Sequence, residues 1–329
     1  MSAFDALRVS YQDNVTTARV QRLAADDLPP GEVLIRTHYS SVNYKDALAI
    51  TGQGRIMARH PLTAGIDVAG EVESSSDARF APGQGVLVTG YGLGVSHDGG
   101  MAGRVRVPAE WVVPLPAGLD ARAAMTLGTA GFTAALSLHR MEQMGQHPDL
   151  GPVLITGATG GVGSVAVALF ARAGYRVTAL TGKAAEADYL RALGAHEVLS
   201  RHDLTLGKKP LESVRFGGAV DSVGGELLAW ITRVIQPWGS IAACGLAGGW
   251  ELNATVMPFI LRGVSLLGIN SVDCPAGIRH ALWPRLAATL VAGDLALIRG
   301  PELALDAVPD YCRRMLAGGI RGRALVRLD

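Results

Sequence analysis

The first third of the chain carries short alternating and β-branched segments that predict β-strands. These segments lie at 19–23, 32–38, 67–73, 85–89 and 104–107. Gly, Pro, Asp and Ser residues bound them, as is typical of turns between strands. Because the region shows little helical period, we predict a compact, barrel-like antiparallel domain.

A different pattern begins near Asp120, where an alanine-rich stretch at 121–136 predicts a helix. Strands and helices alternate after it. The predicted strands lie at 153–156, 176–180, 197–199, 219–222, 240–244 and 265–269, and glycines end the predicted helices 163–173 and 184–193. This alternation predicts a parallel sheet covered on both faces, and six strands fit the doubly wound α/β order. The tail from 273 predicts a helix and a strand at 324–328, which we expect to rejoin the first domain.

Composition limits the classes of function. Glycine accounts for 42 of 329 residues, which is about 13% against the usual ~7%. Many tight turns, or a backbone that approaches a ligand closely, would explain this excess. The 30 basic and 29 acidic residues leave a net charge of +1, so we expect no dense basic surface for nucleic acid or an anionic membrane.

The cysteine pattern indicates the cellular compartment in which the protein is expected. Cys244, Cys274 and Cys312 are too few and too widely spaced for a four-thiolate zinc site or a disulfide framework. Reduced cysteines are typical of cytosolic proteins, and the N-terminal residues lack the apolar run of a secretory signal. We therefore expect a cytoplasmic protein that does not associate with membranes.

A glycine-rich turn follows the predicted strand 153–156. The sequence from Gly157 to Gly163 has the spacing G-x-x-G-G-x-G and opens a predicted helix. A strand that ends in glycines and leads into a helix presents bare N–H groups and the positive helix end to a pyrophosphate. The segment therefore predicts dinucleotide binding, with a plain β–α turn as the alternative.

The end of the next predicted strand bears on the choice of cofactor. NAD enzymes usually carry an acidic residue here for the ribose 2′-hydroxyl, whereas this chain has Thr181, Gly182 and Lys183. A carboxylate would repel a 2′-phosphate, but a hydroxyl and an ammonium group can donate to it, so the sequence predicts NADPH. Arg201, after the third strand of the series, is a second candidate for the same phosphate. Alternatively, Lys183 is a solvated residue near a helix start.

Several segments carry a family resemblance. They are SVNYKDAL at 41–48, GIDVAG at 65–70, GTAGFTA at 128–134, the glycine turn, CGLAGG at 244–249, VMPFILR at 256–262 and the pair Gly322-Arg323. Together they resemble the zinc-independent, quinone-oxidoreductase-like medium-chain dehydrogenases/reductases, and within these the acrylyl-CoA reductase group. The resemblance covers essentially the whole chain. The segments around NYKD and MPFILR are specific, whereas the glycine turn is shared across the superfamily.

The resemblance implies a fold, a domain division and an activity. The fold is α/β, with a doubly wound parallel (Rossmann) NADPH-binding domain at 123–266. A GroES-like, β-rich catalytic domain is formed by both chain ends, at 1–122 and 267–329, with a cleft between the two domains. The implied reaction is NADPH-dependent reduction of the 2,3 double bond of acryloyl-CoA, with quinones as alternative acceptors.

The resemblance also implies a set of cofactor contacts. They are Tyr44, Thr159, Gly160, Gly161, Val162, Thr181, Gly182, Lys183, Arg201, Leu246, Ile260, Ser271 and Arg323. Thr129 and Thr133 lie on the predicted helix 121–136. Both are further candidates for contacts with the nicotinamide or the pyrophosphate, and helix packing is the alternative.

Four positions depart from the usual pattern of the group. Gly103 stands where a glutamate is usual, and Tyr91 and Asp98 replace a tryptophan-rich approach. Asn270 stands where an acid usually precedes Ser271. Because these positions lie near the expected cleft, we expect them to affect substrate preference more than fold or cofactor.

The residues predict no metal site. The first 80 residues contain no cysteine, and the chain reads Gly65-Ile66-Asp67 where the zinc enzymes of this architecture have Gly-His-Glu. Without a Lewis acid, reduction of a double bond conjugated to a carbonyl is easier than oxidation of an alcohol. Hydride adds to the β-carbon, and hydrogen-bond donors stabilise the charge on the carbonyl oxygen.

The candidate catalytic residues are Asn43, Tyr44 and Asp46, which follow a predicted strand at 37–42. Tyr44 is a candidate to contact the cofactor or to lend its hydroxyl to the acceptor, and simple packing is the alternative. For Asn43 and Asp46 the alternative is a structural role in a turn. Asp67 is expected to satisfy buried backbone donors, and orientation of this loop is the alternative.

Two other functions stay open from the sequence. One is an NADPH quinone oxidoreductase with the same cofactor site, and the other is a non-catalytic NADPH-binding module. The expected partner of an enzyme would be a small molecule, an enoyl-CoA or a quinone. The apolar strand 265–269 also predicts a homodimer, because its edge can pair with a second copy across a two-fold axis.

Overall fold

The first third of the chain forms mainly β-strands, strands and helices alternate in its middle, and helices predominate from 276 to 316. The computed structural model describes residues 3–328. The strands are β1 (Phe4–Gln12), β2 (Val15–Leu23), β3 (Val33–Ser41), β4 (Leu62–Thr63), β5 (Asp67–Ser75), β6 (Gly85–Thr89), β7 (Arg104–Val107), β8 (Val113–Pro114), β9 (Val153–Thr156), β10 (Val177–Thr181), β11 (Glu197–Ser200), β12 (Phe216–Asp221), β13 (Ile235–Ala243), β14 (Ser265–Gly268), β15 (Arg299–Leu303) and β16 (Arg323–Arg327). The helices are α1 (Tyr44–Thr51), α2 (Ala121–Gln143), α3 (Gly161–Arg172), α4 (Ala187–Ala192), α5 (Gly225–Val234), α6 (Met257–Arg262), α7 (Ala276–Thr289), α8 (Ala292–Ile298) and α9 (Val308–Leu316).

The described chain divides into two compact units. Unit 1 contains the residues up to Thr129, Val272–Ala287 and the residues from Arg299 onward. Unit 2 contains Ala130–Ser271 and Ala288–Ile298. The domain limits given by the sequence remain a prediction.

The strands of unit 1 pair almost entirely antiparallel. Strand β1 lies between β2 and β4 in a three-stranded sheet. A larger sheet has the order β15-β16-β3-β5-β6-β8, with β7 also paired to β3, and among its described pairs only β15 and β16 are parallel. The antiparallel, β-rich domain predicted from the sequence is confirmed. The late strand β16 joins it beside β3, with Leu325 opposite Ser41.

Alternating side chains explain why these strands form a packed sheet. Val33 and Ile35 of β3 face the same core as Val68 of β5 and Val86 of β6, and all four side chains are fully buried. Successive side chains of a strand point to opposite faces, so apolar residues two positions apart build one apolar layer. This layer fixes the end of β3 beside the start of β5, where the buried polar side chains of unit 1 gather.

Unit 2 contains a six-stranded parallel sheet in the order β11-β10-β9-β12-β13-β14. Every residue of β9 and of β10 is buried, as expected for strands covered on both faces. This is the doubly wound order, so the prediction of a Rossmann-type sheet is confirmed. The strand order reverses between β9 and β12, and ligands of such sheets bind beyond the carboxyl ends of the strands at this point.

Helix α2 is longer than the predicted helix 121–136, and a break interrupts it. Gly128 lies inside α2 with φ +52° and ψ −153°, which is not a helical conformation. Residues that carry a side chain rarely adopt these backbone angles, so glycine is required there. The predicted helix 184–193 is also different in detail, because one turn of 3-10 helix at Ala184–Glu186 precedes α4.

Several elements of unit 1 are absent from the sequence prediction, among them β4, β8 and β15. The segment after β3 forms helix α1, and the first strand, β1, was not predicted. No single helix among residues 3–328 is both long and apolar enough to cross a membrane, although the bent pair α7 and α8 passes a test of length and composition together.

Candidate functional site

The glycine turn between β9 and α3 is folded closely on itself. Gly157 has φ +57°, and its carbonyl oxygen accepts from the N–H of Gly160 at 2.8 Å. A Cβ atom on Gly163 would lie 2.3 Å from the oxygen of Gly157, so a side chain cannot be accommodated there. Gly160 caps α3 without a side-chain hydrogen bond, which leaves the N–H groups of Gly161 and Val162 available to an anion. The turn therefore fits the pyrophosphate of a dinucleotide.

The predicted 2′-phosphate residues meet at the ends of β10 and β11. The hydroxyl oxygen of Thr181 accepts from the N–H of Lys183 at 3.0 Å, and the carbonyl oxygen of Thr181 accepts from the N–H of Arg201 at 2.8 Å. A Cβ atom on Gly182 would lie 2.7 Å from Nε of Arg201, so the arginine side chain lies against the bare Cα of Gly182. Thr159 approaches from the glycine turn, with its Oγ1 3.5 Å from that of Thr181.

Lys183 sits in a partly desolvated position. Burial lowers the pKa of its ammonium group, and the charge of Glu186 opposes this effect. With Arg201 it gives this corner of unit 2 two cationic side chains without a carboxylate at the end of β10. The corner therefore fits a phosphate ester better than a ribose hydroxyl.

The other predicted cofactor contacts of unit 2 lie on separate elements. Leu246 follows β13 and is 59% exposed, and Ile260 of α6 is 71% exposed. Ser271 follows β14, and Thr133 is buried on α2. Their roles in binding remain predictions.

In unit 1, Asp67 is the centre of a buried hydrogen-bond network. Its carboxylate accepts from Oγ of Ser41 at 2.6 Å and from Nδ2 of Asn43 at 2.8 Å. Thr129 donates both its N–H, at 2.9 Å, and its hydroxyl, at 2.5 Å, to the same carboxylate. One donor, the N–H of Thr129, belongs to the backbone, as expected. The side-chain donors Ser41 and Asn43 match the alternative, in which Asp67 orients this loop, and Asp67 ties the residues after β3 to those at the break in α2.

Arg323 supplies the positive charge of this network. The residue is 2% exposed, and its Nη2 lies 3.5 Å from the carboxylate of Asp67. Nη1 donates to the carbonyl oxygen of Val42 and to Oδ1 of Asn43, and Nη2 donates to Oγ of Ser41. Burial lowers the pKa of the guanidinium, and the charge of Asp67 opposes this effect. These contacts leave little of Arg323 for a ligand, and its predicted cofactor contact is untested.

Asn43 and Asp46 hold the start of α1. Asn43 is the N-cap residue, and its N–H donates to Oδ2 of Asp46 at 2.9 Å. Oδ1 of Asp46 accepts from the N–H of Ile66 at 3.0 Å. Burial, together with the charge of Asp67, raises the pKa of Asp46 to about 7. These contacts are those of the structural alternative, and a catalytic role for Asn43 or Asp46 remains a prediction.

Tyr44 differs from its neighbours because its side chain is 42% exposed. It is the first residue of α1, directly after the N-cap residue Asn43. The buried contacts of Asn43 and Asp46 therefore fix the backbone from which Tyr44 projects. Among the predicted catalytic residues, Tyr44 is the one with side-chain surface available to a ligand.

The network includes two residues that the sequence analysis quoted only as parts of motifs. Ser41 donates to Asp67, and a Cβ atom on Gly128 would lie 2.4 Å from Oδ2 of Asp67. A glycine inside a helical pattern was the available signal for Gly128, because such glycines often have a packing reason. No comparable signal marks Ser41.

Two of the positions that depart from the group's pattern pack firmly in unit 1. The ring of Tyr91 stacks on Trp111 with centroids 5.3 Å apart, and the guanidinium of Arg279 lies 4.5 Å from the Tyr91 centroid. Asp98 pairs with Arg8 at 2.5 Å. Within residues 3–328, no three His, Cys, Asp or Glu side chains lie close enough together to hold a metal ion.

Comparison with known proteins gives matches over the full length. The family model described as an alcohol dehydrogenase GroES-like domain matches residues 29–117, and the one described as a zinc-binding dehydrogenase matches residues 161–289. The chain is 49% identical over 326 residues to "Putative quinone oxidoreductase YhfP" of Bacillus subtilis (strain 168), covering 99% of each chain. It is 46% identical over 329 residues to acrylyl-CoA reductase AcuI of Ruegeria pomeroyi, again covering 99% of each.

Solved structures match equally well. The yhdH oxidoreductase from Salmonella enterica, in complex with NADP, has a TM-score of 0.96 and 46% identity, with 99% of this chain and 100% of that chain covered. Bacillus subtilis protein yhfP, with NAD bound, has a TM-score of 0.96 and 48% identity, with 100% of both chains covered. Proteins with this fold and this degree of identity have thus been solved with either dinucleotide.

Proposed function

The chain belongs to the quinone-oxidoreductase-like medium-chain dehydrogenases/reductases, and we propose that within this family it reduces the 2,3 double bond of a short enoyl-CoA. The chain is an oxidoreductase. The reaction that we propose for it is conversion of acryloyl-CoA to propanoyl-CoA. The full-length match to a protein named acrylyl-CoA reductase is the observation that carries this proposal.

NADPH is the cofactor of the proposed reaction. The glycine turn would hold its pyrophosphate, and Thr181, Lys183 and Arg201 would hold its 2′-phosphate. The close folding of the turn, which leaves no room for a Cβ atom at Gly163, and the lack of a side-chain cap at the start of α3 support the first assignment. When bound, NADPH would supply the hydride for the β-carbon, and solvent would supply the proton that the α-carbon takes up.

The residue of unit 1 that takes part in the proposed reaction lies at the start of α1. Tyr44 projects from a backbone that Asn43 and Asp46 hold in place. In the proposed reaction its hydroxyl donates a hydrogen bond to the carbonyl oxygen of the thioester. Negative charge develops on that oxygen when the β-carbon is reduced, so a fixed donor lowers the barrier.

Reduction of a quinone is the second candidate function. The 49% identity to a protein whose name is that of a quinone oxidoreductase supports it. A quinone needs the same cofactor site, but it does not need recognition of a CoA group.

An acceptor screen separates the two activities. NADPH oxidation by the full chain is followed by absorbance with acryloyl-CoA, with longer enoyl-CoAs and with a quinone. We expect kcat/KM for acryloyl-CoA to exceed that for the quinone by about 100-fold, because recognition of the CoA group and the carbonyl adds binding energy in the transition state. A quinone that is favoured by a similar factor would reverse the assignment. Loss of turnover with every acceptor would favour a non-catalytic NADPH-binding module.

We propose that the chain forms a homodimer through unit 2. Strand β14 ends the six-stranded sheet, so one of its edges is unpaired among the described strands. Large apolar side chains nearby in sequence are exposed, including Trp250 at 84% and Leu261 at 59%. Burying such a surface against a second copy is favourable. Light scattering coupled to size exclusion should give twice the mass of one chain, and a monomer at micromolar concentration would contradict the proposal.

A further inference from the structure

Asp221 is a buried carboxylate of unit 2 that the site described so far does not use. It is the last residue of β12 and has no exposed surface. Its Oδ1 accepts from the hydroxyl of Thr156 at 2.6 Å, and its Oδ2 accepts from the N–H of Gly224 at 2.8 Å. Burial raises the pKa of this carboxyl, and the hydrogen bonds from Thr156 and Gly224 oppose the effect.

Thr156 connects Asp221 to the glycine turn. It is the last residue of β9, and Gly157 follows it directly. Its hydroxyl oxygen accepts from the N–H of Ser222 at 3.0 Å, while its carbonyl oxygen accepts from the hydroxyl of Ser222 at 3.1 Å. Because the Thr156 hydroxyl has a single proton, the chain of donors runs in one direction, from Ser222 through Thr156 to Asp221.

Close packing reinforces the connection. A Cβ atom on Gly157 would lie 2.6 Å from Oγ of Ser222. The glycine turn and the loop after β12 therefore touch at a position where no side chain fits between them. Displacing Ser222 would remove support from the first residue of the turn.

The loop after β13 is tied to the same residues. The carbonyl oxygen of Asp221 accepts from the N–H of Cys244 at 2.8 Å, and that of Val223 accepts from the N–H of Gly248 at 2.7 Å. A Cβ atom on Gly245 would lie 2.4 Å from the carbonyl oxygen of Ser222. Three loops at the carboxyl ends of β9, β12 and β13 are thus joined through Asp221 and its neighbours.

We propose that Asp221, acting through Thr156 and Ser222, is a positioning residue that holds the glycine turn in the conformation that receives the pyrophosphate. Buried hydrogen bonds to an ionised acceptor are stronger than neutral ones and admit few alternative arrangements. An asparagine at 221 would turn an NH₂ group towards one of the two donors, so the network would lose one of its bonds. This inference rests on the proposed dinucleotide site but not on the identity of the acceptor.

The test compares ligands with and without a pyrophosphate. Dissociation constants of NADPH, NADH and adenosine 2′-monophosphate are measured on the full chain carrying Asp221→Asn, Thr156→Val or Thr156→Ser. Asp221→Asn and Thr156→Val should weaken both dinucleotides equally, by roughly 10- to 100-fold. Adenosine 2′-monophosphate has no pyrophosphate, so its affinity should stay within about 3-fold. Thr156→Ser keeps the hydroxyl and should also stay within this range for all three ligands.

Two further comparisons complete the test. The double variant Asp221→Asn/Thr156→Val should bind NADPH no more weakly than Asp221→Asn alone, because both changes break one chain of hydrogen bonds. Asp188→Asn, an exposed carboxylate on α4, is the control that should change nothing. Unchanged NADPH affinity in Thr156→Val, or an equal loss for adenosine 2′-monophosphate, would overturn the inference alone. Failure of the unaltered chain to bind NADPH would overturn the proposed function as well.

Discussion

Replacing Lys183 with alanine is expected to weaken NADPH binding by roughly 10- to 150-fold and to leave NADH binding unchanged. A hydrogen bond to a charged group contributes about 1.5–3 kcal/mol, and each 1.4 kcal/mol is a tenfold change in affinity. NADH lacks the 2′-phosphate, so it does not gain from this contact. Fluorescence titration of each variant with both cofactors gives the ratio directly.

The surroundings of Lys183 explain why its contribution should be large. The residue is partly buried, which strengthens its interaction with a phosphate relative to a fully solvated ammonium group. Arg201 lies against Gly182, so a second cation borders the same corner. Arg201→Ala should therefore produce a loss in the same direction.

A matched control is available on the neighbouring helix. Arg191 of α4 is exposed and pairs with Asp188, and Arg191→Ala should leave both affinities unchanged. If the unaltered chain binds NADH as tightly as NADPH, or if Lys183→Ala keeps its preference, the assignment of the 2′-phosphate site is wrong. This experiment is needed because similar proteins have been solved with NADP and with NAD.

The Rossmann-type sheet was predictable because its signals are local. Each strand of the series is a short apolar segment, and the order of strands and helices along the chain implies a parallel sheet. The corner at Thr181, Lys183 and Arg201 was equally predictable from the sequence, because residues that follow neighbouring parallel strands meet at one edge of the sheet.

The buried network of unit 1 was not predictable in the same way. Arg323 and Asp67 are 256 positions apart, and their contact depends on the pairing of β16 with β3. No local pattern indicates which buried arginine meets which buried aspartate. Asn43 and Asp46 were candidates from their place in the sequence, and the resemblance implied Arg323, but only the structure reveals that all three hydrogen-bond within unit 1. Strand β1 was missed because the adjacent buried residues Ala6 and Leu7 break its apolar alternation.

Gly128→Ala is expected to lower the free energy of unfolding by at least about 3 kcal/mol. The new Cβ atom would lie 2.4 Å from Oδ2 of Asp67, 2.7 Å from Nη2 of Arg323 and 2.8 Å from Oγ of Ser41. None of these atoms can move freely, because each is part of the buried network. Disrupting a buried ion pair costs about 3–5 kcal/mol, and an unfavourable backbone conformation adds about 1–3 kcal/mol.

The control for Gly128→Ala separates steric conflict from backbone conformation. Gly118 also has a positive φ, +88°, but no atom lies within 4 Å of its ideal Cβ position. Gly118→Ala should therefore cost only the conformational term of about 1–3 kcal/mol, without the loss from the buried ion pair. Urea unfolding followed by circular dichroism measures both variants against the unaltered chain. Equal losses for the two would mean that the network yields to the added methyl group, and that Asp67 and Arg323 do not hold the break in α2 as rigidly as their contacts require.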